Sequence, residues 1–329
     1  MPANLPPQYY DEERKLKSAR TPEEKTAILE TLISIIPKHK GTEKLQADLK
    51  SRLSKARTQQ QARSGSARRV DEHHVEREGA GQVVLSGLPN VGKSKLLSAV
   101  TKATPLVAEY PYSTLKPLPG MARFENVWVQ LLDIPPMLWE LTDKWVANIL
   151  RNTDAICLMV DLTDDPVGQA QILLQDLEEK RIRPLRRDED RGGVPPDLFP
   201  KRLFMAGNKM DLPAADEGLD ELVRAYQDSY SVLGVSAKNA AGLDGFPREA
   251  FRVLDKIRVY TKAPSKKPDR DHPFVVPEGT TVIEMAEEIH KEFVSRFRAA
   301  RIYCADKYDG QRVGKDFVLR DGDVIEFLV

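Results

Sequence analysis

The sequence has few cysteines and no excess of charge of either sign. Only two cysteines, Cys157 and Cys304, occur among 329 residues. Each lies in a strand-like apolar stretch, so we expect buried free thiols in a reducing cytosol rather than a disulfide framework. Lys and Arg number 50, and Asp and Glu also number 50. This balance excludes a globally basic nucleic-acid binder but not a local basic patch.

Long apolar runs are also missing. The longest run near the middle of the chain covers only residues 155–160, whereas a membrane-spanning helix needs ~20 apolar residues. The first fourteen residues are polar and rich in proline, without an apolar signal core, so we expect a cytoplasmic protein with no membrane partner. A length of 329 residues, 41% apolar and 30% charged, fits two or three packed domains.

Residues 1–78 predict an arm followed by a basic helical hairpin. Thr21 and Pro22 are typical of a helix start, and apolar residues then recur at helical spacing until Pro37 ends the run. A second helical pattern follows a turn at Gly41. Residues 38–69 carry ten Lys or Arg against two acidic residues, which fits either a solvated helix face or a contact with the phosphate backbone of RNA.

Residues 79–256 predict a mostly parallel α/β sheet, because strand and helix patterns alternate along them. Strands are expected near residues 82–86, 121–125, 127–132, 155–160, 202–206 and 231–235. Charge, glycine and proline interrupt the alternation at 178–202, which we interpret as a short surface insertion between two strands. The last ~70 residues predict a small mixed domain, with a helix near 282–294 and strands at 299–305 and 323–329.

A phosphate-binding loop follows the first of these strands. The pattern G-x-x-x-x-G-K-[ST] is matched by Gly87, Leu88, Pro89, Asn90, Val91, Gly92, Lys93 and Ser94. Glycines in such a loop let backbone N–H groups turn toward phosphates, and the helix that follows adds the positive end of its dipole. We expect Lys93 to reach the β- and γ-phosphates and the Ser94 hydroxyl to coordinate Mg²⁺.

Two later strand ends predict a guanine-binding site. Asn208, Lys209 and Asp211 form the pattern N-K-x-D. The Asp carboxylate can accept from both N1–H and N2–H of guanine, a donor pair that adenine does not present, while Asn208 braces the site and the Lys209 stem packs on the ring. The next strand ends in Ser236, Ala237 and Lys238. The N–H of Ala237 is expected to meet guanine O6, so the ligand is GTP or GDP rather than ATP.

Candidate switch residues lie between these motifs. Tyr112, Ser113 and Thr114 stand in a loop before a strand, and we expect Thr114, rather than Ser113, to bind Mg²⁺ through its hydroxyl. Asp133 ends another strand, where its carboxylate is expected to contact Mg²⁺ through water. An ordinary turn residue is the alternative interpretation of Asp133.

Together these motifs resemble the Obg-related translation-factor GTPases, in particular their DRG (developmentally regulated GTP-binding protein) branch. Residues 257–262, 288–291, 313–316 and 321–326 are similar to the TGS domain of that branch, and residues 38–42 to its N-terminal helices. The resemblance implies a P-loop GTPase domain at 79–256 and a β-grasp TGS domain at 257–329. It also implies association with a ribosome or RNA through residues 38–69 and the TGS domain, with a small regulatory protein as a further partner.

Two features depart from the family pattern, Pro136 and the length of the insertion, and a third residue, Met137, departs from the pattern of Ras-like enzymes. The usual D-x-P-G ends in Pro136, which has no N–H for the γ-phosphate. Met137 stands where Ras-like enzymes carry a catalytic Gln, and a thioether cannot orient water as an amide does. Relatives without that Gln can use a K⁺ ion held partly by the loop Asn, which is Asn90 here; bracing of the loop is the alternative role. The insertion at 178–202 is also shorter than the family's inserted subdomain.

We therefore expect a slow, Mg²⁺-dependent GTPase that forms GDP and phosphate, with Lys93 and Thr114 as catalytic residues. The rival hypothesis is a guanine-nucleotide-dependent RNA or ribosome adaptor with little hydrolysis, which Pro136 and Met137 favour. Sensing of a small molecule by the TGS region is a third hypothesis, but residues 261–329 show no phosphate loop, metal cluster or nucleophile pattern of their own.

Overall fold

The computed structural model describes residues 75–101, 117–136, 144–264, 266–304 and 308–328, and seven further single positions, at 15, 28, 29, 31, 32, 35 and 53. The chain divides into two compact units, Met1–His74 and Val75–Val329. In the first unit the described positions are helical, and Leu29 and Leu32 are buried. The turn predicted at Gly41 and almost all of the basic stretch 38–69 lie outside the described residues.

The first part of the second unit is built on a seven-stranded sheet. Its strands are β1 (Gln82–Gly87), β2 (Leu118–Phe124), β3 (Val127–Asp133), β4 (Ala155–Asp161), β5 (Ile182–Leu185), β6 (Phe199–Asn208) and β7 (Ser231–Gly234). The order is β2-β3-β1-β4-β6-β5, and β7 also pairs with β6. All pairings are parallel except β2 with β3, which confirms the mostly parallel α/β sheet.

Five helices accompany this sheet in the described part of the chain. They are α1 (Lys93–Val100), α2 (Lys144–Asn152), α3 (Pro166–Glu179), α4 (Ala215–Tyr226) and α5 (Phe246–Arg252). Because both faces of a parallel sheet are covered, its inner strands are apolar without alternation, as the first six residues of β4 are, all of them buried. Val83, Leu85 and Cys157 face one core, and Val84, Ile156 and Leu158 face the other. No helix in the described ranges is long and apolar enough to cross a membrane.

The stretch 178–202 is not only a surface excursion, and that part of the prediction is wrong. It contains β5, which is parallel to the first half of β6 and buries Ile182 and Leu185. The strand is four residues long and includes Pro184. Proline within a stretch argues against a strand, because it cannot donate a ladder hydrogen bond, and Pro184 therefore suggested a loop. At the edge of a sheet that missing donor costs no hydrogen bond on the outer side, so the strand forms here.

A second, five-stranded sheet forms the C-terminal part of the same unit. Its strands are β8 (Lys256–Thr261), β9 (Phe274–Pro277), β10 (Ala299–Cys304), β11 (Tyr308–Val313) and β12 (Val324–Leu328), in the order β11-β10-β12-β8-β9. Helix α6 (Val282–Ile289) packs on one face of the sheet through Val282, Met285 and Ala286. A mixed sheet that wraps one helix is the β-grasp arrangement expected of a TGS domain.

The helix predicted near 282–294 is broken in two. His290, with a φ of −172° and a ψ of 139°, ends α6 and begins α7 (Lys291–Arg296). The start of α6 is well specified, because Thr281 and Glu284 form a reciprocal capping box.

Candidate nucleotide-binding site

The phosphate loop connects the end of β1 with the start of α1, as its pattern predicts. Gly92 has a φ of +96°, and a Cβ there would lie 2.4 Å from Nδ2 of Asn208. At Gly87 a Cβ would lie 2.5 Å from the carbonyl oxygen of Met159 on β4. Both positions therefore require glycine, because the loop passes directly against the ends of β4 and β6.

Lys93 is folded back onto this loop. Its Nζ donates to the carbonyl oxygens of Gly87 and Leu88 at 3.0 and 3.1 Å. The side chain is buried, and burial lowers the pKa of Lys93 to about 8, against the opposing charge of Asp133. The ammonium group is thus held at the loop by neutral carbonyl oxygens. A bound phosphate would supply a negatively charged partner, which forms a stronger hydrogen bond with the ammonium group than a carbonyl does.

The loop residues between Gly87 and Gly92 carry no charged side chain. Val91 is buried, Leu88 and Pro89 are half-buried, and Asn90 is exposed with a φ of +63°.

Ser94 and Asp133 come together beside the loop. The Ser94 hydroxyl donates to Oδ2 of Asp133 at 2.5 Å, since the pairing of β1 with β3 places Asp133 opposite Leu85. Oδ1 of Asp133 is buried and has no hydrogen-bond partner among the described residues. Burial raises the pKa of Asp133, and the Ser94 hydrogen bond and Lys93 oppose that rise. An orphaned carboxylate oxygen beside a hydroxyl fits a hard cation such as Mg²⁺, whose ligands are oxygens.

Asn208 connects the phosphate loop with the base side of the site. Its Nδ2 donates to the carbonyl oxygen of Val91 at 2.8 Å, and its Oδ1 accepts from the N–H of Ala237 at 3.0 Å. The side chain is buried. The predicted bracing role of Asn208 thus has a definite geometry. The N–H that we expected to meet guanine O6 donates to Asn208 in this structure.

Asp211 lies in the loop after β6 and contacts residues of the loop after β7. Asp211 accepts from the Ser236 hydroxyl at 2.7 Å and pairs with Nζ of Lys238 at 3.3 Å. The Ser236 hydrogen bond lowers the pKa of Asp211, so this carboxylate stays ionised and accepting at neutral pH. A carboxylate that accepts is what N1–H and N2–H of guanine require.

Lys209 contacts a residue that the sequence reasoning missed. Its Nζ forms an ion pair with Oδ2 of Asp161, the last residue of β4. Asp161 also accepts from the N–H and hydroxyl of Thr163. The available signal was its place directly after the apolar run 155–160, since carboxyl ends of parallel strands meet at one edge of a sheet.

Part of the predicted site lies outside the described residues. Tyr112, Ser113, Thr114 and Met137 belong to that part, so their proposed roles stay predictions. Pro136 is described and half-buried, three residues after Asp133.

The phosphate loop after β1, together with the loops that end β3, β6 and β7, defines a P-loop GTPase domain, and a TGS domain follows it. Residues 82–187 match the family model of the 50S ribosome-binding GTPases, and residues 257–329 match that of the TGS domain.

The chain has named relatives over most of its length. It is 27% identical to an uncharacterized GTP-binding protein of Methanocaldococcus jannaschii, over 93% of each chain. It is 26% identical to the developmentally-regulated GTP-binding protein 2 of Homo sapiens, over 93% of this chain and 98% of the relative. The developmentally-regulated GTP-binding protein 1 of Xenopus laevis is also 26% identical, with 92% and 97% covered. The resemblance drawn from the motifs is confirmed: the chain is a homologue of the developmentally regulated GTP-binding proteins.

Proposed function

We propose that the chain binds GTP and GDP at the carboxyl edge of its first sheet and hydrolyses GTP slowly to GDP and phosphate. The observation that carries the proposal is the position of Asn208. One side chain ties the loop that would hold the phosphates to the loop that would hold guanine, through hydrogen bonds of 2.8 and 3.0 Å. A phosphate loop alone serves any nucleotide, whereas this connection fixes its distance from Asp211 and Ser236, which suit guanine.

Magnesium fits the same site. Ser94 and Asp133 would hold it, with Asp133 acting through water and Thr114 as the further ligand proposed from the sequence. When bound, Mg²⁺ neutralises charge on the transferred phosphoryl group. Lys93 binds and orients the phosphates, and no side chain in the described part of the site stands out as a general base. Catalysis then depends on positioning and charge neutralisation. Pro136 offers no N–H to the γ-phosphate, which is our reason for expecting slow turnover.

The test compares the affinities for GTP, GDP and ATP and then measures turnover in K⁺ and in Na⁺ buffer. We expect strong preference for both guanine nucleotides over ATP and phosphate release that requires Mg²⁺. Faster release in K⁺ supports Asn90 as a K⁺ ligand, and an Asn90→Ala variant serves as the matched control. Equal affinity for ATP and GTP contradicts the proposal.

A second candidate function is a guanine-nucleotide-dependent adaptor that hydrolyses little. Pro136 favours it, because the site loses a γ-phosphate contact without losing the contacts to guanine. Single-turnover phosphate release separates the two: a bound GTP that persists over many hours with Mg²⁺ and K⁺ present supports the adaptor.

The proposed place of action is the ribosome or RNA in the cytoplasm. Support comes from the ribosome-binding GTPase family model, the TGS domain and the excess of ten basic over two acidic residues in 38–69. We assign 1–78 to the basic N-terminal region, 79–256 to the GTPase domain, and 257–329 to the TGS domain. A small regulatory protein is a further proposed partner.

A further inference from the structure

The TGS domain contacts the GTPase domain at the turn between β2 and β3. Arg258 on β8 donates from Nη1 to Oε2 of Glu125 in that turn, at 2.5 Å. Nε and Nη2 of the same guanidinium bind both carboxylate oxygens of Asp321, at 3.1 and 2.8 Å. Its Cζ also lies 4.8 Å from the ring centre of Phe124. The TGS domain thus contacts the turn through an arginine whose three guanidinium nitrogens all donate hydrogen bonds.

A second residue of the turn is held in the same way. Nδ2 of Asn126 donates to the hydroxyl of Tyr260 and to the carbonyl oxygen of Arg270, both at 2.8 Å. The Arg258 side chain is only 9% exposed, and hydrogen bonds to Asp321 and Glu125 raise its pKa further above the ordinary arginine range. The contact is therefore a charge-assisted junction in which the arginine is buried, while the Glu125 side chain is 61% exposed.

The hairpin that carries this turn ends at the nucleotide site. Strand β3 ends at Asp133, and Leu118 opposite it begins β2. The segment 102–116, which contains Thr114, precedes β2 in the sequence. A seven-residue strand spans about 20 Å. Asp133, a proposed Mg²⁺ ligand, thus lies at one end of a hairpin whose other end contacts the TGS domain.

Strand β2 is the edge of its sheet and pairs only with β3. By contrast, β1 pairs with both β3 and β4, so its position does not depend on a contact at its start. Beyond the β3 ladder, β2 is restrained by packing on α1 and α5, where Phe124 meets Phe251, and by groups at its ends. The Glu125–Arg258 and Asn126–Tyr260 bonds supply that restraint at the far end.

We propose that Arg258 is a positioning residue for the Mg²⁺ side of the nucleotide site, acting through the turn at Glu125 and Asn126. This inference rests on the proposed GTP-binding function. Loosening the turn lets β2 shift against β3, which widens the range of positions that Asp133 can take. By linkage, Mg²⁺ and GTP at one end then strengthen the TGS contact at the other.

The test measures the Mg²⁺ concentration for half-maximal GTP binding and, separately, GTP affinity in EDTA. Glu125→Gln keeps the shape of an exposed side chain and removes the ion pair. We expect it to raise the Mg²⁺ half-saturation by about three-fold, and Arg258→Lys by about three- to ten-fold, with affinity in EDTA within about two-fold of the wild type. A merely structural weakening would lower both affinities together.

Lys256→Met is the matched control. Lys256 also joins the TGS domain to the GTPase domain, by a 2.6 Å hydrogen bond to the carbonyl oxygen of Ala80 before β1. The N–H of Ala80 bonds the carbonyl oxygen of Trp128 on β3, so this contact reaches the hairpin along β3 and not through the turn at Glu125 and Asn126. We expect its Mg²⁺ half-saturation to stay within about 1.5-fold of the wild type. Hydrogen exchange adds a second readout: Mg²⁺ and a GTP analogue should slow exchange in 118–126 in the wild type, and less so in Glu125→Gln.

The outcomes are distinct. A wild-type chain that binds no GTP overturns the proposed function together with this inference. A wild type that binds GTP, with Glu125→Gln and Arg258→Lys unchanged in Mg²⁺ half-saturation, overturns the inference alone. An equal rise in Lys256→Met also overturns it, because the effect would then belong to the domain junction as a whole and not to the turn at Glu125 and Asn126. If Arg258→Lys fails to fold, Glu125→Gln decides, since the Glu125 side chain is 61% exposed.

Discussion

Replacement of Asn208 by alanine should loosen both loops of the nucleotide site at once. The change removes the hydrogen bonds to the Val91 carbonyl and from the Ala237 N–H, at 2.8 and 3.0 Å. A buried polar group without its partner costs about 1–3 kcal/mol. Val91 and Ala237 are buried, but the chain can relax around the smaller side chain, so we take the low end of that range for each group, about 2–3 kcal/mol in total.

This loss should appear in the affinity for nucleotides. If only a fraction of the molecules keeps the loops in their binding arrangement, the apparent affinity equals the intrinsic affinity multiplied by that fraction. A deficit of about 2–3 kcal/mol corresponds to a fall in affinity of up to about 30- to 150-fold. The affinities for GTP and for GDP should fall by the same factor. Val91 is in the phosphate loop and Ala237 is in the loop proposed to hold guanine, and neither is placed to contact the γ-phosphate. Titration with fluorescent GTP and GDP analogues measures both affinities, and urea unfolding measures the free energy of the nucleotide-free chain.

The matched control is Asn208→Asp. It keeps an oxygen that accepts from Ala237 but turns a second oxygen, in place of the Nδ2 donor, toward the Val91 carbonyl. The base-side hydrogen bond should survive while the phosphate-loop bond is lost. Unchanged affinities in Asn208→Ala, with an unfolding free energy within about 0.5 kcal/mol of the wild type, would refute the bracing role.

Three further predictions follow from the site and the sequence. Asp211→Asn should lower GTP affinity about ten- to a hundred-fold, because an amide has one acceptor and adds a donor that faces the donors of guanine; unchanged affinity in a titration removes Asp211 from the site. Deletion of residues 1–70 should leave GTP affinity intact and weaken co-sedimentation with ribosomes, and binding by the full chain should fall steeply with salt; salt-insensitive binding that survives the deletion shows the basic stretch to be a solvated face. Pro136→Gly should raise the ratio of GTP to GDP affinity about ten-fold, since one charge-assisted hydrogen bond is worth ~1.5–3 kcal/mol and the added loop entropy offsets only ~0.4–1 kcal/mol; a flat or lower ratio, measured with the single-turnover rate, means that the γ-phosphate is sensed in another way.

The phosphate loop, the parallel sheet and the C-terminal domain could be predicted because each depends on local pattern. Glycine spacing fixes the loop, and unbroken apolar strands such as 155–160 indicate a sheet covered on both faces. Short strands with mixed signals were harder. The strand β5 was not predicted because it contains Pro184. A single helix was predicted near 282–294 because its apolar periodicity continued past His290, where the helix ends.

The contacts that organise the site could not be predicted, because their partners are far apart in the sequence. Asn208 and Val91 are 117 residues apart, and Arg258 and Glu125 are 133 residues apart. A pattern can place Asn208 at a strand end and Glu125 in a turn, but only the packed sheets show which groups then meet. The ion pair of Asp161 with Lys209 was missed for the same reason.

The long strand β6 also bears on how such a chain can change over evolution. Its first half, 199–202, pairs with β5, and its second half, 204–207, pairs with β7. The two neighbours share one side of β6 without sharing residues. Only the second half leads to Asn208, so segments can be gained or trimmed around β5 while the guanine loops keep their anchor. A lineage that shortens the loop between β5 and β6 therefore gives up surface for outside contacts without altering the site that recognises the nucleotide.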